Sequence, residues 1–155
     1  MRARTLFIDS DGFPHTTIAV EIALSLSIRT VVAGNMTQNL ERFESAEGVE
    51  ILKVSDGMDA ADFAIFNHLQ EGDILLTNDT GLAAIALGKG VKVLDSKCRE
   101  FKEGSIDERL MGRHLAKKVR RAGGRTKGPK KISDADREKF AGRLEGVLGN
   151  LDIDN

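Results

Sequence analysis

Aspartates follow several of the apolar runs in this chain. Asp9 and Asp11 follow the run at residues 5–8, and Asp79 follows the run at residues 74–77. If both runs are parallel strands of one sheet, their carboxyl ends meet at one edge, which is where ligands bind in open α/β sheets. We therefore expect these three carboxylates to lie close together.

A second acidic pair, Asp59 and Asp62, stands at the start of a predicted helix. The two residues are three apart, so they share one face of its first turn. Carboxylates gathered in one place repel each other unless a cation neutralises them or their pKa values rise. Mg²⁺ and Mn²⁺ prefer oxygen ligands, and such a site can activate water and bind a phosphate. The acids therefore predict a divalent-metal site suited to phosphodiester hydrolysis.

Each acid also has a structural explanation. Asp59 and Asp62 would stabilise a helix N-terminus by their charge alone. Asp79 and Asp95 would serve equally well as turn residues or helix N-caps. The functional interpretation depends on Asp9 and Asp11 sharing one sheet edge with Asp79.

The elements that must position these acids alternate between strand and helix. This alternation predicts an α/β fold with a mainly parallel sheet and helices on both faces. Ser133 and Asp136 have the spacing of a capping-box variant at the start of a C-terminal helix. Strands are predicted at residues 5–8, 28–33, 49–54, 74–77 and 91–94, and helices from Pro14 onward, at 59–69, 81–87 and 106–119, and from Ser133 onward.

The back half of the chain is basic. Residues 1–96 hold 7 Lys and Arg against 14 Asp and Glu, a net of −7, and residues 97–155 hold 16 against 10, a net of +6. Residues 120–131, RRAGGRTKGPKK, concentrate this charge and lack apolar periodicity, so we expect a basic loop there. The loop suggests an anionic partner, although a solvated surface explains the charge equally well.

The bulk properties indicate one cytoplasmic domain. A chain of 155 residues with 41% hydrophobic residues can form one core, predicted over residues 1–150, with residues 151–155 as a frayed tail. The single cysteine, Cys98, excludes an internal disulfide and fits a reducing compartment. No apolar window of about 18 residues is present, so no membrane association is expected.

Four segments together resemble the YaiI/YqxD family. They are IDSDGFP at residues 8–14, GMDAAD at 57–62, LTNDTGLA at 76–83 and GGRTKGP at 123–129, and the predicted helix beginning near residue 136 also fits. The resemblance covers residues 5–148. That family is grouped with PIN-like domains, so it implies a PIN-like three-layer fold with a mainly parallel central sheet and C-terminal helices.

The resemblance also implies a function, because many PIN-like domains are Mg²⁺- or Mn²⁺-dependent ribonucleases. By this resemblance the metal ligands are Asp9, Asp59 or Asp62, and Asp79, with Asp11 assisting, so that Asp9, Asp11 and Asp79 are the catalytic set. RNA or another phosphodiester is the expected substrate, and because PIN-like domains often pair, the resemblance also suggests a homodimer. The cations expected to hold a nucleic-acid backbone are Arg121, Arg125, Lys127, Lys130 and Lys131.

Two other function classes fit part of the sequence. A haloacid-dehalogenase-like phosphatase also begins with D-x-D after a strand, which would make Asp9 a nucleophile and Asp11 a general acid. Phe13 stands where that motif normally has Thr or Val. A non-catalytic RNA- or protein-binding module with a vestigial site would explain the basic loop equally well.

Three further polar residues fall near the acidic edge. Thr77 and Asn78 could hydrogen-bond a ligand or orient Asp79, although turn formation explains them nearly as well. His15 could contact a substrate phosphate, although such a histidine is more commonly a partly exposed residue at the start of a helix.

Overall fold

A five-stranded sheet forms the centre of the protein. The computed structural model describes residues 4–35, 40–43, 46–54, 60–102 and 132–153. The strands are β1 (Thr5–Asp9), β2 (Arg29–Asn35), β3 (Val49–Val54), β4 (Ile74–Leu76) and β5 (Lys92–Leu94). They lie in the order β3-β2-β1-β4-β5, and all four neighbouring pairs are parallel. The predicted α/β fold with a mainly parallel sheet is confirmed.

The central strand, β1, is buried along its whole length. Ile8 pairs with Val32 on one side and with Leu76 on the other, so β1 has a hydrogen-bonded neighbour at both edges. Such a strand has no solvent-facing side and needs a continuous apolar run rather than an alternating one. The run at residues 5–8 supplies it, and the chain then places a carboxylate, Asp9, at the last position of the strand.

Four helices are described: α1 (Thr16–Ser25), α2 (Ala60–His68), α3 (Thr80–Gly88) and α4 (Asp134–Ile153). Leu6 and Ile8 face a core shared with α1 and α4, whereas Phe7 faces a core shared with α2 and α3. This alternation follows from the period of two residues along a strand. The result is three layers, with the sheet between two helical layers. None of these helices combines the length and the apolarity needed to cross a membrane.

Helix α4 begins and packs as its sequence predicts. The Ser133 hydroxyl accepts a hydrogen bond from the Asp136 N–H at 3.1 Å, and Asp136 Oδ2 accepts one from the Ser133 N–H at 3.1 Å. Phe140, Leu144 and Leu148 recur every four residues and are almost fully buried. The backbone remains helical to Ile153, three residues past the predicted domain end at residue 150, because no residue after Asn150 breaks the helix.

The strand order creates a switch point in the sheet. The chain adds β2 and β3 on one side of β1 and then returns to add β4 and β5 on the other. At such a point the loops leaving the two neighbouring strands diverge and leave a crevice outside their carboxyl ends. Here the two strands are β1 and β4, which Asp9 ends and Thr77 follows. The predicted helix at residues 106–119 and the predicted basic loop at 120–131 lie outside the described residues.

Candidate functional site

Asp9 is the residue on which the candidate site is centred. It ends the central strand, pairs with Ala33 of β2, and is only 4% exposed. Its Oδ2 accepts a hydrogen bond of 2.8 Å from the hydroxyl of Thr77. Burial of a carboxylate is unfavourable unless hydrogen bonds or a cation compensate for lost hydration. The Asp9 carboxylate is therefore held in a fixed position at the end of the strand and depends on its bonding partners to offset the cost of burial.

Thr77 connects Asp9 to Asp79. The residue is fully buried directly after β4, and its backbone N–H donates to the Leu94 carbonyl at 3.0 Å. Its hydroxyl donates to Asp9 and accepts from the backbone N–H of Asp79 at 2.9 Å. One hydroxyl thus fixes both aspartates on the two sides of the switch point. The bond to Asp79 closes a turn between residues two apart, so the turn-forming explanation of Thr77 fits it directly.

Asp79 is the N-cap of α3. Its Oδ1 accepts hydrogen bonds from the N–H groups of Gly81 at 2.8 Å and Leu82 at 3.1 Å, which satisfies two donors at the helix start. A side chain on Gly81 would place its Cβ 3.2 Å from that oxygen. The other oxygen, Oδ2, accepts no hydrogen bond from any described residue. The structural role of Asp79 thus uses one oxygen and leaves the second for a ligand.

Asn78 ties three loops together at this edge. Its amide nitrogen donates to the Gly12 carbonyl at 3.1 Å, and its Oδ1 accepts from the Ser96 N–H at 3.0 Å. The loops after β1, β4 and β5 are therefore held in one arrangement. Asp11 lies in the first of these loops and is partly buried, next to Gly12, whose φ of +69° favours glycine.

Two other buried aspartates have structural roles. Asp95 accepts hydrogen bonds from the N–H groups of Lys97 at 2.8 Å and Arg99 at 2.9 Å, and from the Arg99 guanidinium at 3.1 Å. Asp73 precedes β4 at the opposite edge and accepts from the N–H groups of Thr5 and Gln70. The explanation of Asp95 as a turn residue is therefore confirmed.

Only part of the predicted ligand set lies among the described residues. Asp59 lies outside the described residues, and Asp62 lies in the first turn of α2, where its side chain is outside them. Among the residues that are described, no three His, Cys, Asp or Glu side chains form a group able to hold a metal ion. Asp9 and Asp79 are the two predicted ligands whose side chains are described, and Thr77 links the Asp9 carboxylate to the Asp79 backbone N–H. The predicted RNA-binding cations, Arg121, Arg125, Lys127, Lys130 and Lys131, also lie outside the described residues.

A cleft of about 550 Å³ opens between α4 and the loops that follow β1 and β5. We call it the His15 cleft; its lining includes His15, Lys97, Asp136, Lys139, Phe140 and Arg143. His15 is 4% exposed, and its ring stacks on Phe140 with a centroid distance of 4.6 Å. The expectation of a partly exposed His15 is therefore wrong. No local signal could have identified this stack, because its two residues are far apart in the chain.

Burial determines the ionisation of two groups near the site. It lowers the pKa of His15, and the Arg137 charge lowers it further, while Asp136 acts in the opposite direction. Burial also raises the pKa of the Cys98 thiol to about 11, and the Asp95 carboxylate adds to the rise. A thiol with that pKa stays protonated near neutral pH, so Cys98 is not an activated nucleophile.

Comparison with known proteins identifies relatives of this chain over most of its length. The model of a family described as "Uncharacterized BCR, YaiI/YqxD family" matches residues 7–150. A UPF0178 protein of Bacillus velezensis is 36% identical over 150 residues, which cover 96% of this chain and 88% of that protein. A UPF0178 protein of Enterococcus faecalis is 37% identical over 135 residues, covering 87% and 90%. No solved structure matches the chain.

Proposed function

The chain belongs to the YaiI/YqxD family, and we propose that it is a divalent-metal-dependent hydrolase of phosphodiesters, with RNA as the substrate. The observation that carries this proposal is the Thr77 hydroxyl, which bonds Asp9 and the backbone of Asp79 across the switch point. A buried carboxylate and the backbone of a second aspartate, held by one buried hydroxyl at the edge where α/β sheets bind ligands, would form the preorganised half of a metal site.

The donor chemistry of these residues fits Mg²⁺ or Mn²⁺. Both ions prefer carboxylate oxygens and keep several waters, so a site needs only a few protein ligands. Asp9 and Asp79 would hold the ion together with Asp59 or Asp62 from the start of α2. When bound, such an ion supplies Lewis-acid activation of water and neutralises charge on a phosphate.

The protein's own groups have distinct tasks in this proposal. Thr77 donates to Oδ2 of Asp9, which fixes the orientation of that carboxylate. The capping bonds to Oδ1 of Asp79 direct its Oδ2 away from the helix backbone. Asp11, on the loop next to Gly12, would orient the attacking water or bind a second ion. The cations of residues 120–131 would hold the backbone of the RNA.

The decisive experiment measures Mn²⁺ binding and the cleavage of single-stranded RNA in parallel. Wild type is compared with Asp9→Asn and Asp79→Asn, which remove charge but keep the size of each side chain. We expect weaker Mn²⁺ binding and a cleavage rate lowered by at least about 100-fold, the scale on which loss of one preorganised electrostatic group acts. Glu21→Gln is the matched control, because Glu21 is an exposed carboxylate on α1.

The two measurements separate the parts of the proposal. Mn²⁺ binding that both Asn variants leave unchanged would show that Asp9 and Asp79 are not ligands. Metal binding without RNA cleavage would favour the non-catalytic binding module. Turnover of a phosphomonoester together with trapping of an acyl-phosphate analogue on Asp9 would instead favour the phosphatase.

A further inference from the structure

The lining of the His15 cleft carries a net positive charge, and the proposed metal site does not account for it. Lys97, Lys139 and Arg143 contribute three positive charges to its lining and Asp136 one negative charge, a net of +2. The Asp136 carboxylate is already engaged at the start of α4, where its Oδ2 accepts the Ser133 N–H. No described residue forms an ion pair or hydrogen bond with the ammonium group of Lys97 or Lys139. Asp136 is the one anion of this lining and interacts electrostatically with both Lys97 and Lys139, so two of the three positive charges remain uncompensated within the lining.

Arg143 is held at the side of the cleft. One nitrogen, Nη1, donates to the backbone carbonyl of Lys97 at 2.9 Å, which joins α4 to the loop after β5. A guanidinium has five N–H donors in a rigid fork, so this bond leaves most of them for a ligand. The position suits a planar, charge-assisted contact with phosphate oxygens.

His15 supplies a buried polar group with no assigned partner. Its Nδ1 is enclosed and makes no hydrogen bond to any described residue, although the ring is packed against Phe140 and Phe13. A buried donor or acceptor left without a partner costs about 1–3 kcal/mol. Phe140 is only 1% exposed, so the cleft has no aromatic face on which a base could stack. These groups favour a compact oxyanion over a nucleobase.

The cleft is connected to the acidic edge through the loop after β5. Ser96 lines the cleft and donates its N–H to Asn78, the residue next to Asp79. Asn78 in turn holds Gly12, three residues before His15. The cleft and the two carboxylates thus share the same tied loops.

We propose that the His15 cleft binds a phosphate group of the nucleic-acid substrate, adjacent to the phosphodiester that is cleaved, with Lys97, Lys139 and Arg143 as its charged contacts. The identity of the substrate in this proposal rests on the proposed function. The site itself rests on the cationic lining, the fixed position of Arg143 and the buried His15.

The test follows the imidazole resonances of the full-length, metal-free protein by NMR while inorganic phosphate is added at pH 7.5 and constant ionic strength. We expect a saturable shift of the His15 resonances. The resonances of His68, which is exposed on α2 outside the cleft, should not move and serve as the internal control. Arg143→Gln and Lys139→Gln should each weaken phosphate binding about tenfold, the effect of losing one charge-assisted hydrogen bond.

Arg143 and Lys139 are both exposed, so these variants are expected to fold. Lys92→Gln, at the amino end of β5, is the matched control for the loss of one exposed cation. His15 resonances that phosphate does not move, or that move equally in wild type and both cleft variants, would overturn the proposal. Asp9→Asn should retain the shift. A shift without RNA cleavage would therefore count against the proposed hydrolase alone, and cleavage without a shift against the phosphate site alone.

Discussion

At the residue scale, Thr77 links the carboxylate of Asp9 to the backbone of Asp79. Its hydroxyl donates to Asp9 and accepts from the N–H of Asp79. Thr77→Val keeps the shape of the side chain but removes both bonds. We expect a loss of about 1–3 kcal/mol in the free energy of unfolding, because a buried carboxylate loses a donor. We also expect Mn²⁺ affinity to fall by about 10-fold or more, as when an orienting partner of a metal ligand is removed.

Thr77→Ser is the matched control because it retains the hydroxyl and removes only a methyl group. Urea unfolding without metal and calorimetric titration with Mn²⁺ provide the two measurements. A Val variant that binds Mn²⁺ as tightly as the Ser variant would show that Thr77 serves the fold alone.

His15 makes the stability of the protein depend on pH. Burial holds its pKa below the ordinary value of 6.5, so between the folded pKa and 6.5 the unfolded chain binds more protons. The free energy of unfolding must therefore fall as pH decreases through this window. The charged groups that face the ring are Arg137, which lowers the pKa further, and Asp136, which raises it.

We expect His15→Gln to show a smaller decrease in stability between pH 7.5 and pH 5 than wild type, measured by urea unfolding in phosphate-free buffer. His68→Gln controls for the loss of an exposed histidine. An equally steep decrease in the His15 variant would assign the pH dependence to other groups.

Residue types predicted the acidic edge better than they predicted the cleft. Asp9, Thr77 and Asp79 could be placed together because Thr77 ends a predicted strand, the two aspartates follow predicted strands, and parallel strands end at one edge. The stack of His15 on Phe140 joins the start of α1 to α4. Neither residue stands at a position whose local pattern indicates the other, so only the packed structure reveals the pair.

At the element scale, the capping box of α4 supports the His15 cleft. Ser133 and Asp136 bond each other's backbone N–H groups, and the helix that they begin carries Phe140 and Arg143. Ser133→Ala should lower the free energy of unfolding by about 1 kcal/mol, the usual effect of losing an N-cap side chain. Ser133→Thr keeps the hydroxyl and should retain most of that stability in urea unfolding.

The same pair predicts a dependence on acidity. The hydrogen bonds from Ser133 lower the pKa of Asp136 below its usual 3.8. The stabilisation that comes from the lowered pKa of Asp136 is therefore complete above the pKa of Asp136 in the unfolded chain. It is lost as pH falls through the pKa of Asp136 in the folded protein. If Ser133→Ala and wild type were equally stable at pH 7, the capping bonds would contribute nothing to the fold.

Elements were predicted closely where apolar runs determine them. β3 spans the predicted residues 49–54; β1, β4 and β5 differ from prediction by one residue at one end, and β2 differs by one residue at its start and two at its end. Helix α1 begins at Thr16 rather than at Pro14, with His15 as an N-cap that makes no side-chain bond. Proline permits a helix start but does not fix its position, since the first hydrogen bond depends on the packing that follows.

At the scale of the whole molecule, strand order was the property that the sequence left open. Apolar runs identify strands, but they do not indicate which strands pair. The pairing of Leu6 with Ile74 joins segments 68 residues apart, and it makes β1 and β4 neighbours. Because β1 and β4 are neighbours, Asp9 and Asp79 follow the two strands that flank the switch point. Without this pairing, they would share only the same edge of the sheet.

The division of charge along the chain gives the last prediction. The net of −7 in residues 1–96 includes the acidic edge, and the net of +6 in residues 97–155 includes the cations of residues 120–131. If the basic half holds an RNA backbone, each contact releases counterions. A plot of the logarithm of RNA affinity against the logarithm of salt concentration then falls with a slope that steepens by about 0.7 for each phosphate contacted on a single strand.

A variant with Gln at Arg121, Arg125, Lys127, Lys130 and Lys131 should therefore bind single-stranded RNA more weakly and with a flatter salt dependence. The measurement is fluorescence anisotropy between 50 and 200 mM salt, a range chosen because backbone contacts change affinity strongly across it. Lys92→Gln is the control for an exposed cation outside this segment. Equal slopes in wild type and the five-residue variant would remove residues 120–131 from the RNA-binding surface. Because Asp9 and Asp79 contribute no positive charge, Asp9→Asn should not reduce the slope, which separates RNA binding by the basic half from chemistry at the acidic edge.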